Sequence, residues 1–276
     1  MRRLFSFFLT LTLVLGHVPA EAKAKTPPAL KPFLTAQSYA IVDYSNGSIL
    51  HGRMPHKRLP PASTTKVMTV LVVMKFLPLD TLVSVGPNAV NVSPSKAGLT
   101  RGARYKAIDL VKACLVSSSN DAAVALAEAV SGNEREFVKL MNERAAKLGM
   151  TNTHFVNATG LTDKRQAQYT TAFDLTKLMR EAVKDRRIDE MMGLIETTIS
   201  GSDGKVLSLR AHNKMLWKAP RSVKGKTGWT YASRHTFVGT DYARHKSIVF
   251  ALLSSKKPWT DIQRLSSFGV VLVRRR

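Results

Sequence analysis

The order of residue types along the chain constrains its fold more than any single motif. Runs of β character lie toward both ends: "SYAIVDYSNGSILHG" (38–52) near the start, then "KVLSLRA" (205–211), "TFVGTDYA" (236–243) and "SIVFALLSS" (247–255) late in the chain. The stretch between them is helical in character. A sheet lobe that draws strands from both chain ends must hold the intervening helices as an insertion, so the expected fold class is α/β (α+β), with an all-helical lobe inserted into the sheet lobe.

Local signals agree with that division. Asn46-Gly47 between two β-type runs predicts a hairpin. An apolar helix is expected from about Ser63 to Phe76, bounded by Pro60-Pro61 and Pro78. "AIDLVKACLV" and "SNDAAVALAEAV" are rich in helix formers, with Gly132 set to end the second. Asn133 with Glu136, and Thr171 with Asp174, have the spacing of capping boxes. Behind them Phe137, Leu140, Met141 and Leu148, and then Leu175, Leu178, Met179 and Ala182, form core-facing stripes. The last segment, "WTDIQRLSSFGVVLV", suits a closing helix, although "GVVLV" also passes as a strand.

Residues 1–22 read as a secretory signal peptide: Arg2-Arg3, the apolar run Leu4–Gly16, then small residues offering cleavage after Ala22 or Ala24. The alternative, a retained anchor, meets an apolar core shorter than the roughly 18 to 20 residues of a span. The expected organisation is therefore a leader (1–22), a linker (23–36) and one folded domain (37–276), with no additional C-terminal domain. Loss of Arg2, Arg3 and Glu21 lowers the formal charge only from +23 to +22. In an exported protein such charge favours peripheral contact with an anionic wall polymer or membrane surface rather than nucleic acid. Cys114 is the single cysteine, which excludes an internal disulfide and a cysteine-rich metal site, and its apolar surroundings read as core.

Ser-x-x-Lys occurs four times: Ser63/Lys66, Ser93/Lys96, Ser202/Lys205 and Ser254/Lys257. Spacing alone does not rank them. Two further short elements follow, Ser118-Ser119-Asn120 in a helical context and Lys226-Thr227-Gly228 in a β context. Each is weak alone, and their common alternative use is capping or a solvated surface.

Together, the three elements and the longer stretches "DYSNGSILHGRMPHKRLPPASTTKVMT", "SPSKAGLTRGARYKAIDLVKACLVSSSNDAAVALAE", "MNERAAKLGMTNTHFVNATGLTD", "YTTAFDLTKLM", "HNKML" and "VKGKTGWT" resemble the low-molecular-mass penicillin-binding proteins of the D-alanyl-D-alanine carboxypeptidase family. The resemblance implies a β-lactamase/penicillin-binding transpeptidase-like fold with an antiparallel sheet. It also sorts the four pairs, since only Ser63 follows Pro-Ala and opens a long apolar helix.

The implied catalytic set is Ser63 as nucleophile, Lys66 as its base, Ser118 as proton relay and Asn120 as holder of Lys66 and substrate backbone. A serine hydroxyl attacks only when a base takes its proton, and Lys66 serves only when neutral. Burial, the positive end of a helix and a nearby Lys226 all favour that neutral form. Lys226, Thr227 and Gly228 are the implied substrate-binding strand, with the lysine cation and threonine hydroxyl suited to a free terminal carboxylate. The backbone N–H groups of Ser63 and Trp229 are the implied oxyanion hole. Gly225-Lys226-Thr227 also looks like the end of a phosphate loop, but that motif needs glycine where Pro220 stands.

The implied partners are peptidoglycan stem peptides and β-lactam antibiotics as acylating inhibitors, in the periplasm or at the outer face of the cytoplasmic membrane, with no cofactor and no metal. The activity expected is DD-carboxypeptidase, with DD-endopeptidase as the alternative on the same site. A β-lactamase is disfavoured because "TNTHFVNATGL" holds no acidic residue, and a non-catalytic wall binder because the three elements are intact. Two departures, Ser119 in place of the usual glycine and "YASRHTFVG" after Thr230, put subsite shape in doubt. His235 is expected at a surface or strand edge.

Overall fold

Alternation along the strands explains the layering. Tyr39, Ile41, Ile248, Phe250 and Leu252 turn toward one apolar core, while Ala40, Val42, Val249, Ala251 and Leu253 turn toward another. A sheet that is apolar on both faces must be covered on both, and here helices cover it. The computed structural model describes residues 32–163, 165–218, 223–243 and 246–274. The expected leader and the first part of the expected linker lie outside the described residues.

The chain opens with the hairpin β1 (Ser38–Asp43) and β2 (Ile49–Arg53). Its turn carries Gly47 at φ 77°, the conformation the Asn-Gly pair supplies at little cost. A short 3₁₀ turn (Ala62–Thr64) leads into α1 (Thr65–Phe76). Next come β3 (Leu82–Ser84), α2 (Pro87–Asn91), β4 (Arg104–Lys106), α3 (Ala107–Leu115), α4 (Asn120–Ser131), α5 (Glu134–Lys147), α6 (Ala172–Ala182) and α7 (Arg186–Met192). Then follow β5 (Glu196–Ser200), β6 (Val206–Arg210), α8 (Met215–Lys218), β7 (Val223–Thr230), β8 (Arg234–Ala243), β9 (Lys246–Ser255) and α9 (Pro258–Arg274).

The main sheet has the order β2-β1-β9-β8-β7, antiparallel throughout, so strands from both ends of the chain share it. β7 is an edge strand. "KVLSLRA" does form a strand, but it pairs with β5 in a separate two-stranded sheet instead of joining the main one.

Helix α1 is apolar on all sides and is buried from Thr65 to Val70, as expected for a helix enclosed by others. The caps read from the sequence form in part. Asn133 accepts from the Glu136 N–H at 3.0 Å and Thr171 from the Asp174 N–H at 3.0 Å. The reciprocal bonds do not form, because the Glu136 carboxylate takes Lys139 and the Asp174 carboxylate takes Asn152 N and Thr153 Oγ1. Gly132 ends α4 in the left-handed conformation.

"GVVLV" is helical. Ile262, Leu265, Gly269 and Val273 recur at helix spacing on the buried face of α9, and a Cβ at Gly269 would lie 2.4 Å from Ile248 Cδ1. That close approach of helix to sheet decides the ambiguity. Among the described residues no helix is long and apolar enough to cross a membrane.

Candidate active site

The 3₁₀ turn that leads into α1 meets β7, and the contact is backbone on backbone. A Cβ at Gly228 would stand 2.7 Å from the Ser63 nitrogen, so only glycine lets the strand run beside the Ser63 amide. Thr236 Oγ1 on β8 donates to Pro61 O at 3.0 Å and fixes the same turn from the sheet. From the other side, a Cβ at Gly160 (φ +82°) would fall 1.9 Å from Ala62 O. Ala62 and Ser118 both have positive φ, 49° and 61°, conformations that cost non-glycine residues about 1–3 kcal/mol each.

Ser63 is half-buried, and Lys66 one turn on is fully buried. Lys66 Nζ lies 3.1 Å from Ser63 Oγ, 2.6 Å from Asn120 Oδ1 and 2.7 Å from Thr159 O. A neutral amine has two N–H donors and one lone pair. The two carbonyl oxygens take both donors, which leaves the lone pair for the Ser63 hydroxyl. Burial lowers the Lys66 pKa to about 8, while Cys114, Asp121 and Glu134 pull it back upward. The Cys114 thiol itself is buried and pushed up to about 12, which agrees with its reading as core.

Ser118 and Asn120 form the opposite wall, at the start of α4. Asn120 does not act as a cap: its amide spans Lys66 and Pro94 O. Ser118 Oγ accepts from Lys226 Nζ at 2.8 Å, and the same amine donates to Thr227 O at 2.8 Å. Lys226 is 1% exposed and is held well below the ordinary lysine range, by burial first and by repulsion from Lys66 second.

Six of the eight sequence candidates therefore line one cleft with their side chains or backbone edge, and Lys66 is enclosed directly behind Ser63. Lys226 stands apart, since it faces Ser118 rather than the open space. That space, about 290 Å³, is lined by Ser63, Ser118, Asn120, Thr227, Gly228 and Trp229 among others.

Further lining comes from residues the sequence reading left aside. Pro94 and Ser95 lie between Ser93 and Lys96, another of the Ser/Lys pairs, in a segment strapped down by Asp121 through the N–H groups of Ala97, Gly98 and Leu99. Leu161, His212, Trp259 and Ile262 complete the walls. His212, the first residue of "HNKML", keeps an exposed edge, yet its pKa is pushed down to about 4 by loss of solvent first, then by Lys226 and Lys66. His235, half-buried at the start of β8, also lines the cleft. Ser119 does not, because its hydroxyl turns to Ser117 Oγ at 2.8 Å.

The segment 157–160 contains no acid, as the sequence reads, but Glu134 reaches it from α5 and accepts from Ala158 N at 2.8 Å. Among the described residues no group of three or more His, Cys, Asp and Glu is placed to hold a metal ion.

A half-buried serine beside a buried amine of lowered pKa, in a cleft between a helical wall and a free strand edge, defines a serine acyl-transfer enzyme. Comparison with known proteins makes this specific. The D-alanyl-D-alanine carboxypeptidase family (peptidase S11) matches residues 22–256, and the chain belongs to that family of serine peptidases.

It is 29% identical to the D-alanyl-D-alanine carboxypeptidase DacF of Bacillus subtilis, over 98% of this chain and 71% of that protein. It is 30% identical to a D-alanyl-D-alanine endopeptidase of Escherichia coli, over 96% of this chain and 88% of that one. The crystal structure of a D-alanyl-D-alanine carboxypeptidase from Mycobacterium tuberculosis superimposes with a TM-score of 0.82 at 28% identity, covering 88% of this chain and 94% of that one.

Proposed function

We propose that this enzyme removes the terminal D-alanine from peptidoglycan stem pentapeptides through an acyl-enzyme on Ser63. The observation that carries the reading is the three-way contact of Lys66 Nζ with Ser63 Oγ, Asn120 Oδ1 and Thr159 O.

The productive microstate has Lys66 neutral and a proton on Lys226. Ser63 Oγ attacks the carbonyl carbon of the penultimate D-alanine, and its proton passes to Lys66. The oxyanion is met by the N–H groups of Ser63 and Trp229, donors worth roughly 3 to 4 kcal/mol in the transition state. As the C–N bond breaks, Ser118 gives its proton to the leaving amine and recovers one from Lys226, 2.8 Å away. Lys66 is now an ammonium and Lys226 neutral. Water then attacks the ester, loses a proton through Ser118 to Lys226, and Ser63 Oγ leaves with the proton of Lys66. Both lysines return to their starting states, so side chains and water suffice.

The same nucleophile would open a β-lactam ring and retain the acyl group. The likeness to an endopeptidase supports a second reading, cleavage of D-alanyl cross-links on this site. The formal charge of +23 and the apolar leader support an exported enzyme held near anionic wall or membrane polymers.

The test is to incubate the protein with a pentapeptide muropeptide and with a cross-linked dimer and to weigh the products. Free D-alanine is expected from the first; monomers from the second alone would move the assignment to endopeptidase. Undiminished activity in Ser63→Ala, or absence of a labelled-penicillin adduct on the wild type, would sink the mechanism.

A further inference from the structure

A substrate ending in D-Ala-D-Ala brings a free carboxylate into the cleft, and a carboxylate leaving water needs a partner. Lys226, the partner implied by its motif, is enclosed and directs its amine to Ser118 Oγ and Thr227 O. None of the side chains lining the cleft carries a formal charge other than the two histidines, and both are held toward the neutral form. The cation must therefore come from the rim.

Arg210 is engaged, paired with Glu196 at 3.2 Å and lying 4.3 Å over the Trp217 ring. Lys214 is exposed and, among the described residues, makes no ion pair. Its Nζ lies 5.8 Å from the ring centre of Trp259, and its charge is felt by His235; both of these residues line the cleft. With His212, which borders both spaces, Lys214 also lines an open hollow of about 540 Å³ beside the cleft. Its position is built rather than accidental. The preceding Asn213, 4% exposed, donates to Val223 O at 3.0 Å and accepts from Met215 N at 3.1 Å, which pins this turn to β7, the strand that carries Thr227.

We propose that Lys214, with the Thr227 hydroxyl, is the specificity-determining anchor for the free carboxylate of the substrate's terminal residue. The anchor rests on the DD-peptidase reading above and assigns Lys226 to proton transfer alone. A flexible ammonium at the rim suits this task, because it follows the carboxylate in and lets the released amino acid go.

The test compares a blocked tripeptide ending in D-Ala-D-Ala, as the free acid and as its C-terminal amide. The wild type is expected to prefer the acid. Lys214→Gln lowers kcat/KM for the acid by about tenfold, chiefly through KM, and much less for the amide, so the preference contracts toward one. Lys214→Arg restores the preference. Lys139→Gln, an equal loss of charge on α5, leaves it unchanged, and Lys226→Gln lowers acid and amide alike. An acid-to-amide preference in Lys214→Gln equal to that of the wild type overturns the anchor while the enzymatic reading stands. A wild type that does not discriminate also overturns the anchor, and one that turns over neither peptide overturns both.

Discussion

The two walls of the cleft are built on opposite principles. The helical wall is closed: Lys66, Ser118, Asn120 and Thr159 are 4% exposed or less, and their polar atoms are met by other protein groups. The strand wall is open. β7 is a sheet edge; at its end Trp229 is 50% exposed and just past it Tyr231 is 92% exposed, their rings 4.9 Å apart. The turn under them is nonetheless held firmly, because Ser233 Oγ accepts from Thr230 N and Thr230 Oγ1 and donates to Arg234 O. Desolvation on the closed wall shifts Lys66 toward the neutral form that its role as base requires. The open edge can instead pair with an extended peptide, in the manner of strand addition. The base and nucleophile thus sit on the closed wall and the pairing edge on the open one, with Lys226 reaching from β7 to Ser118 between them.

The sharpest break in this comparison is chemical. Lys66→Ala is expected to slow acylation by roughly 10² to 10⁴-fold, the usual worth of a positioned base, as read from the rate of labelled-penicillin attachment. Gly160→Ala attacks the packing of the closed wall. Its Cβ would strike backbone at Ala62 O in a conformation alanine avoids, and a loss of at least about 2 kcal/mol is expected in urea unfolding. Ser233→Ala loosens the open wall by leaving the Thr230 groups without their partner. About 1 kcal/mol of stability should be lost, with slower acylation from movement of the Trp229 N–H.

Glu134→Gln tests coupling across the closed wall. The glutamine oxygen can still accept from Ala158 N, but the negative charge that favours the Lys66 ammonium is gone. Burial holds Glu134 above the usual carboxylate range, and Glu128 raises it further. The groups that bear on Lys66 are Cys114, Asp121, Glu134 and Lys226. Activity needs neutral Lys66, so the acidic limb of the kcat/KM profile rises with its deprotonation, pKa about 8 in the wild type. Removing Glu134's charge lowers that pKa, so the rise moves to lower pH; an unmoved profile would show that the carboxylate acts only through its hydrogen bond. The smallest effect belongs to Tyr231→Ala, within about 0.5 kcal/mol in stability and without change in acylation by a small β-lactam.

Much of this was legible because its causes are local. Asn46-Gly47 turns a hairpin, Asn133 and Thr171 cap helices, Gly132 stops one, and Pro60-Pro61 precede the helix that carries Ser63 and Lys66, each through interactions within a few residues. The three motifs could be named for the same reason. What failed to show were contacts across long separations: the pairing of β6 with β5, the approach of Glu134 to Ala158, and the entry of Leu161, His212, His235 and Trp259 into the cleft.

By itself, then, the sequence determined the hairpin, the caps, the layered order of elements and the identity of the nucleophile's neighbours. Only the tertiary structure decided which way the lysines face and which protonation state they favour. Orientation and pKa follow from burial and from partners as distant as Lys226 and Ser118, separated by 108 positions, and neither quantity exists until the two walls close on each other.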